Sequence, residues 1–494
     1  MTSDGTSRRS FLIGSGAAAA AAWTTPTIVS APAAAAASVQ GPGSILDHPA
    51  SEAPIDHVVI VMMENRSFDH WLGWLAEDAA YLAAGQTRYG PGFTVAGAPH
   101  QTYPSSGGPV DTAHVPDIAG IVDPYRGCNF ADPGHGWNAG RAQRDGGFLA
   151  AGSGNDVFAT GYYHAEDLPF TSQLARRFAV CDHSHASILG PTYPNREYLI
   201  AGQSYGLKSN TIPSGGLVGE TILDRLDTAG ATVKSYFTDL PMMALWGSRL
   251  LPMVHPIADF FTDCAAGTLP NVSFVDPGFF GATRTDNHPH GDIRAGERFV
   301  RDVFGAFLTS PNFASGVAIL TYDEWGGFFD HVAPPTFLDD RSSAVDADNF
   351  GQAGFRIPTI LASPFAQRGF VDHRTYDHTS ILRFLEWRFL GAPPEGPGGS
   401  ATWNLTMRDR NALNIGASLV TTADPALDID VTVAIDPAGP DCAPGAPVEP
   451  GAAAVANLPE GDKHSFEELY DTGYFDAMGF DTTPSPMAQA WVDG

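Results

Sequence analysis

An α/β fold with a mostly parallel central sheet, helices on both faces and long loop insertions is what this sequence predicts. Three observations predict it. Several short apolar runs end abruptly in polar residues, and helical spacing follows the first of them. The 54 glycines and 39 prolines among 494 residues interrupt the chain too often for a helical bundle or a coiled coil. A hydrophobic share of 43% supplies a large core, which excludes wholesale disorder.

The N-terminus reads as a twin-arginine (Tat) export signal over residues 1–37. Ser7-Arg8-Arg9-Ser10-Phe11-Leu12-Ile13 leads into an apolar run to Trp23 and then small residues suited to cleavage near Ala31 and Ala37. The mature protein is therefore expected to be secreted or in the cell envelope, exported folded by the Tat machinery. The first buried strand is predicted over residues 55–63, where Val58, Val59, Ile60, Val61 and Met62 are contiguous, as in a strand covered on both faces. Phe68, Trp71, Leu72 and Leu75 then fall at i, i+3, i+4 and i+7, one face of a helix. Residues 78–160, rich in Gly and Pro, read as a long irregular insertion able to form a wall or lid. Further buried runs lie at 178–181, 233–237, 272–275, 317–322 and 357–362, with loops expected at 205–220 and 338–354. Together they mark one α/β domain over 45–415. From 416 to 494 Ala, Pro, Asp and Gly dominate, and this tail has no role that its residues suggest. Cys128, Cys181, Cys264 and Cys442 allow three pairings.

With 27 Lys and Arg against 55 Asp and Glu, the formal net charge is -28. Such a chain repels nucleic acid, which is excluded as a partner, and gains no bulk attraction to an anionic bilayer. A phosphate-bearing substrate would need a local cation to reverse the field.

Ligands of open α/β sheets sit beyond the carboxyl ends of the strands, so the residues there are the ones that matter. Glu64-Asn65-Arg66-Ser67-Phe68-Asp69 closes the first run, placing a carboxylate and an amide oxygen side by side as ligands for a divalent cation. Asp323-Glu324 closes the run at 317–322, ahead of Gly326-Gly327. Two adjacent acids at one strand end are destabilising unless a cation or a cationic partner lies between them, and paired glycines suit a crowded turn. Thr192, in Gly190-Pro191-Thr192-Tyr193-Pro194-Asn195-Arg196, precedes a helical run expected from about Asn195 and is the candidate nucleophile. His135, His288 and His378 sit in polar turns, in Asp132-Pro133-Gly134-His135, Asp286-Asn287-His288-Pro289-His290 and Asp377-His378-Thr379-Ser380. His183-Ser184-His185 looks similar. Phe279-Phe280 and Phe328-Phe329 are paired aromatics that suit either the core or contact with an apolar ligand near the mouth of a site.

The segments holding Glu64, His135, Thr192, His288, Asp323 and His378, together with Cys181-Asp182, seven in order over about residues 55–410, resemble the bacterial and plant phospholipase C family, which also contains a bacterial acid phosphatase. The resemblance implies an alkaline-phosphatase-like α/β/α sandwich and phosphoester hydrolysis through a covalent phospho-enzyme. It implies that Glu64, Asn65, Asp323 and Glu324 hold a divalent metal (Ca, Mg, Mn or Zn) together with the Thr192 oxygen. The nucleophile position is Thr in the phospholipase branch and Ser in the phosphatase branch, so Thr192 matches the former. His135 and His288 would bind phosphoryl oxygens or serve the leaving group, and His378 is a further family position. The expected activity is that of a secreted phospholipase C acting on glycerophospholipids such as phosphatidylcholine, with transient contact to the membrane surface. The alternative is an acid phosphatase acting on small phosphomonoesters with the same metal and nucleophile. Trp325 departs from the family pattern, where Asn or His commonly follows the acid pair.

Overall fold

The computed structural model describes residues 43–213, 215–394, 403–443, 473–480 and 485–494; the export signal predicted over residues 1–37 lies outside them. The eight strands of the central sheet, numbered in chain order, are β1 (His57–Met63), β2 (Ala179–Cys181), β3 (Val233–Phe237), β4 (Val254–Pro256), β5 (Val272–Asp276), β6 (Gly316–Tyr322), β7 (Ile360–Ala362) and β8 (Val371–Asp372). They lie side by side in the order β8-β2-β7-β6-β1-β5-β3-β4. Only β7 runs antiparallel to its neighbours.

β1 lies in the middle of the sheet, parallel to both β5 and β6. Val58 to Met63 are all buried, and side chains alternate between the two faces of a strand, so both faces of the sheet must be covered. Two packed groups of helices do this. The first comprises α1 (Thr171–Arg177), α2 (Ile257–Ala266) and α3 (Ile293–Leu308). The second comprises α4 (Thr192–Ala201), α5 (Ile222–Thr228) and α6 (His378–Leu385). The architecture is the mixed α/β sandwich the apolar runs predict. Strands β4 and β8 were not expected; at three and two residues they are too short to show a hydrophobic pattern.

The insertion at 78–160 is more regular than predicted. It carries a helix at Ala79–Tyr89, a hairpin of Thr102–Ser105 with Gly108–Asp111, and a helix at Trp137–Gly146. Cys128 in this insertion is bonded to Cys442, while Cys181 and Cys264 are buried thiols. The described parts of residues 416–494 pack at several places: Val420 N donates to the Phe365 carbonyl, Asp424 pairs with Arg177 and Arg368, the Tyr474 hydroxyl donates to the Ala244 carbonyl, and the helix Pro486–Asp493 lies on α3. Trp491 is buried edge-on against Phe299, at 5.1 Å between ring centroids, and the Arg298 guanidinium donates to the carbonyls of Ile435, Asp436 and Trp491. Among the described residues no helix is long and apolar enough to cross a membrane.

Candidate active site

Sheet register brings the two acidic strand ends together. Met63 lies opposite Tyr322 in the parallel β1/β6 pair, so Glu64-Asn65 and Asp323-Glu324 leave the sheet as neighbours. Asp323 Oδ1 accepts from the Asn65 amide at 3.0 Å and from the Glu324 amide at 2.7 Å. Glu324 Oε2 accepts from the Gly326 amide at 2.7 Å. One side of each carboxylate is thus spent on fixing the turn. The other side, Asp323 Oδ2 and Glu324 Oε1, together with Asn65 Oδ1, is buried and has no hydrogen-bond partner.

Buried polar atoms are normally paired, because leaving one unpaired costs on the order of 1–3 kcal/mol, and more for a charged group. Three unpaired oxygens on adjoining residues are the donor set of a hard divalent cation. Electrostatics points the same way. Burial, reinforced by the charge of Glu64, pushes the Asp323 carboxyl well above the usual range, and burial with Asp323 beside it does the same to Glu324. The residues present therefore fit a divalent metal.

The turn is built for this crowding. Asn65 has φ 59°, a left-handed conformation that Asn tolerates better than most residues. Gly326 has φ 65°, and a Cβ there would fall 2.2 Å from the Asn65 carbonyl oxygen. The paired glycines are required, as the sequence suggests.

Thr192 is the first residue of α4, three positions earlier than the predicted helix start, and is buried. Its hydroxyl donates to Glu64 Oε2 at 3.3 Å. The other Glu64 oxygen is held by Arg196, through Nε at 3.0 Å and Nη2 at 2.5 Å. Arg196 was quoted in the motif but given no role. Its position four residues after Thr192, on the same helix face, is the spacing that could have found it. Burial lowers the Arg196 pKa, but Glu64, Asp323 and Asp276 outweigh it, so the guanidinium stays charged.

His135 and His288 stand beside the acids, with ring centroids 5.4 Å apart. His135 Nδ1 donates to the Pro133 carbonyl at 2.8 Å, which leaves Nε2 as an acceptor 3.5 Å from Asn65 Nδ2 and 3.9 Å from Glu324 Oε1. Burial lowers its pKa to about 4. His288 Nδ1 is bonded to the Pro289 carbonyl, and its Nε2 lies 3.9 Å from Asp132 Oδ2. Asp132 is a second residue whose role sequence reasoning missed. His378, by contrast, has both ring nitrogens engaged: Nε2 donates to the Tyr322 carbonyl at 2.8 Å and Nδ1 accepts from Ser187 Oγ at 3.1 Å. It buttresses the strand end that carries Asp323, and burial lowers its pKa to about 4. The four paired Phe residues are buried in the core. Phe328 stacks on His70 at 3.8 Å, with Arg66 over its ring at 4.8 Å.

The phosphoesterase family model matches residues 55–390, which span every residue of this site. The chain belongs to the phosphoesterase family. Among curated members it is 32% identical to "Non-specific phospholipase C1" of Arabidopsis thaliana, over 67% of this chain and 66% of that protein. It therefore spans about two thirds of the length of that plant relative. It is 30% identical to "Phospholipase C B" of Mycobacterium tuberculosis over 90% of this chain and 92% of that one. A phosphoesterase-family chain of this kind also has distant likenesses among solved structures. One is a protein of the alkaline phosphatase superfamily from Vibrio parahaemolyticus, at 10% identity and TM-score 0.30, over 55% of this chain and 71% of that one.

Proposed function

We propose that this protein is a phospholipase C, cleaving the phosphodiester of glycerophospholipids such as phosphatidylcholine to diacylglycerol and a phosphorylated head group. The observation that carries the reading is the Thr192 hydroxyl bonded to Glu64 beside three buried, unpartnered oxygens. The near full-length resemblance to a mycobacterial protein named phospholipase C supports the choice of substrate class.

Glu64, Asn65, Asp323 and Glu324, with Thr192, would hold the divalent metal, which when bound neutralises phosphate charge and lowers the pKa of a nearby hydroxyl. The donors are all oxygens, which suits Ca, Mg or Mn and also admits Zn. Arg196 holds Glu64 from one side, so that Glu64 Oε2 orients the Thr192 hydroxyl from the other. Thr192 Oγ attacks phosphorus in line, the bond to the glycerol oxygen breaks, and a phospho-Thr192 intermediate forms. The proton that Thr192 Oγ gives up on attack is relayed through the His135 and His288 corner to the departing glycerol oxygen, which leaves His135 neutral again; Asp132 backs His288. His135, neutral because it is buried, keeps a lone pair able to accept a proton from the water that then cleaves phospho-Thr192. His378 acts as a positioning residue behind Tyr322. Export by the Tat route and brief contact with a membrane surface belong to the same proposal.

Hydrolysis by mature protein of phosphatidylcholine and of a simple phosphomonoester, wild type beside Thr192→Ala and each with and without chelator, tests this. Release of phosphocholine is expected, falling at least about a thousandfold in kcat for Thr192→Ala with the fold intact. Turnover of the monoester alone would move the protein to the phosphatase branch. Undiminished turnover by Thr192→Ala would overturn the nucleophile.

A further inference from the structure

Away from the catalytic acids, at the sheet's far edge, two strands end in a second group of metal-ligating side chains. Asp182 and His183 directly follow β2, and His373 directly follows β8, its parallel neighbour. Ligand atoms of these three residues all lie within 4.8 Å of one another. The Asp182 carboxylate is wholly buried; it accepts the Ala96 amide at 2.7 Å, and both its oxygens lie 2.9 Å from His373 Nδ1. His373 Nδ1 is therefore the donor of that pair. Its Nε2 is turned away from Asp182, on a side chain 41% exposed. A buried carboxylate that fixes one nitrogen of a histidine and aims the other outward is the arrangement that orients histidines toward metals.

His183 completes the group. Its ring lies 6.5 Å from that of His373, centroid to centroid and nearly perpendicular. Tyr376 N donates to the His183 carbonyl at 3.0 Å, which keeps the two segments in place. Burial lowers the His183 pKa, and the Arg356 charge adds to this against the opposing pull of Asp182. Arg356 donates to the Asp182 carbonyl at 2.8 Å, but its guanidinium is matched by Asp69 at 3.0 Å and by Asp330 at 2.9 Å.

We propose that Asp182, His183 and His373 form a second metal site, for a divalent transition ion that prefers imidazole, such as Zn2+, and not for Ca2+ or Mg2+. Imidazole nitrogens select Zn2+, Ni2+ and Cu2+, whereas the catalytic acids offer only oxygens, so the two sites differ in chemistry as well as place. His183 supplies a nitrogen and His373 its outward Nε2, with Asp182 orienting His373 through Nδ1. The ion would join the end of β2 to the end of β8. From these ends the chain runs through the paired strands Ser184–His185 and Tyr376–Asp377 to Ser187 and His378, the pair that braces the catalytic strand end. The site is thus a clip on the frame of the active site.

The experiment is Zn2+ titration of the metal-free, full-length protein by calorimetry, with wild type beside the double variant His183→Gln/His373→Gln. Both histidines are at least partly exposed, so the variant should fold, and its circular dichroism checks this. The variant is expected to bind one equivalent of Zn2+ fewer than wild type, and Asp323→Asn/Glu324→Gln is expected to retain that equivalent. Asp182→Asn should weaken it about tenfold to a hundredfold. Zn2+ should raise the melting temperature of wild type more than that of the histidine variant. Equal Zn2+ stoichiometry in wild type and the histidine variant would overturn the proposal, leaving Asp182 and His373 as a simple ion pair. Loss of the same equivalent on titration with Ca2+ would overturn its chemistry.

Discussion

The same two chain segments build two clusters of charge that could hardly differ more. The segment after β1 supplies Glu64 and Asn65 to one cluster and Asp69 to the other, and the segment after β6 supplies Asp323 and Glu324 to one and Asp330 and His331 to the other. In the second cluster every charge has an answer. Arg356 bonds Asp69 at 3.0 Å and Asp330 at 2.9 Å, and His331 Nδ1 bonds Asp69 at 2.5 Å. Burial raises the Asp69 carboxyl, but Arg356 and His331 outweigh it and hold it below the usual range. Asp330, buried beside another acid, rises to about 6 even with Arg356 in contact. In the first cluster Asp323 and Glu324 keep unpartnered oxygens and both are raised. Buried acids of the same type, a few residues apart, thus serve two ends: one set locks the loops to the sheet, and the other is left incomplete where a cation fits.

The largest stability effect should come from Arg356→Gln. It strands two buried carboxylates, at a cost of about 3–5 kcal/mol in urea unfolding. A loss below about 1 kcal/mol would mean that the second cluster is not held by charge matching.

Glu324→Gln should act with the opposite sign. A carboxyl whose folded pKa is raised contributes stability that is full below its unfolded pKa and is lost as pH rises toward the folded value. Metal-free wild type should therefore weaken from about pH 4.3 upward, while the amide variant weakens less and gains on the order of 1 kcal/mol at neutral pH. Its turnover should fall and lose its response to chelator. Unfolding curves at several pH values decide this, and identical pH dependence for the two proteins would remove the contrast between the clusters.

The smallest effect belongs to His331→Gln. The His331 side chain is 29% exposed and Arg356 still answers Asp69, so the loss should be about 1 kcal/mol or less. A larger loss would make His331, and not Arg356, the chief partner of Asp69.

The legible parts of the molecule were those in which a single segment carries the whole signal. β1 and β6 are continuous apolar runs, and the residues that follow them, Glu64, Asn65, Asp323 and Glu324, could be placed at strand ends for that reason. Gly326 could be read as necessary because its neighbours predicted crowding. The helix Ala79–Tyr89 was hidden because it buries only Tyr81 and Gly85, too little for a periodic pattern. Arg196 and Asp132 gained roles only when folding supplied their partners, Glu64 from 132 residues away in the first case. The pairing of Asp182 with His373, 191 residues apart, leaves no local trace at all.

The Cys128–Cys442 bond and the seat of Trp491 on α3 bear on how this chain can be divided. A break at residue 415, where the composition changes, would strip a tryptophan from the core and three carbonyls from Arg298. It would also leave Cys128 an unpaired thiol on the insertion beside the active site. Gene fusion, proteolytic trimming or recombination with a relative should therefore fail at a junction placed at 415. The last residues of the chain complete a core around α3 that the earlier chain leaves open.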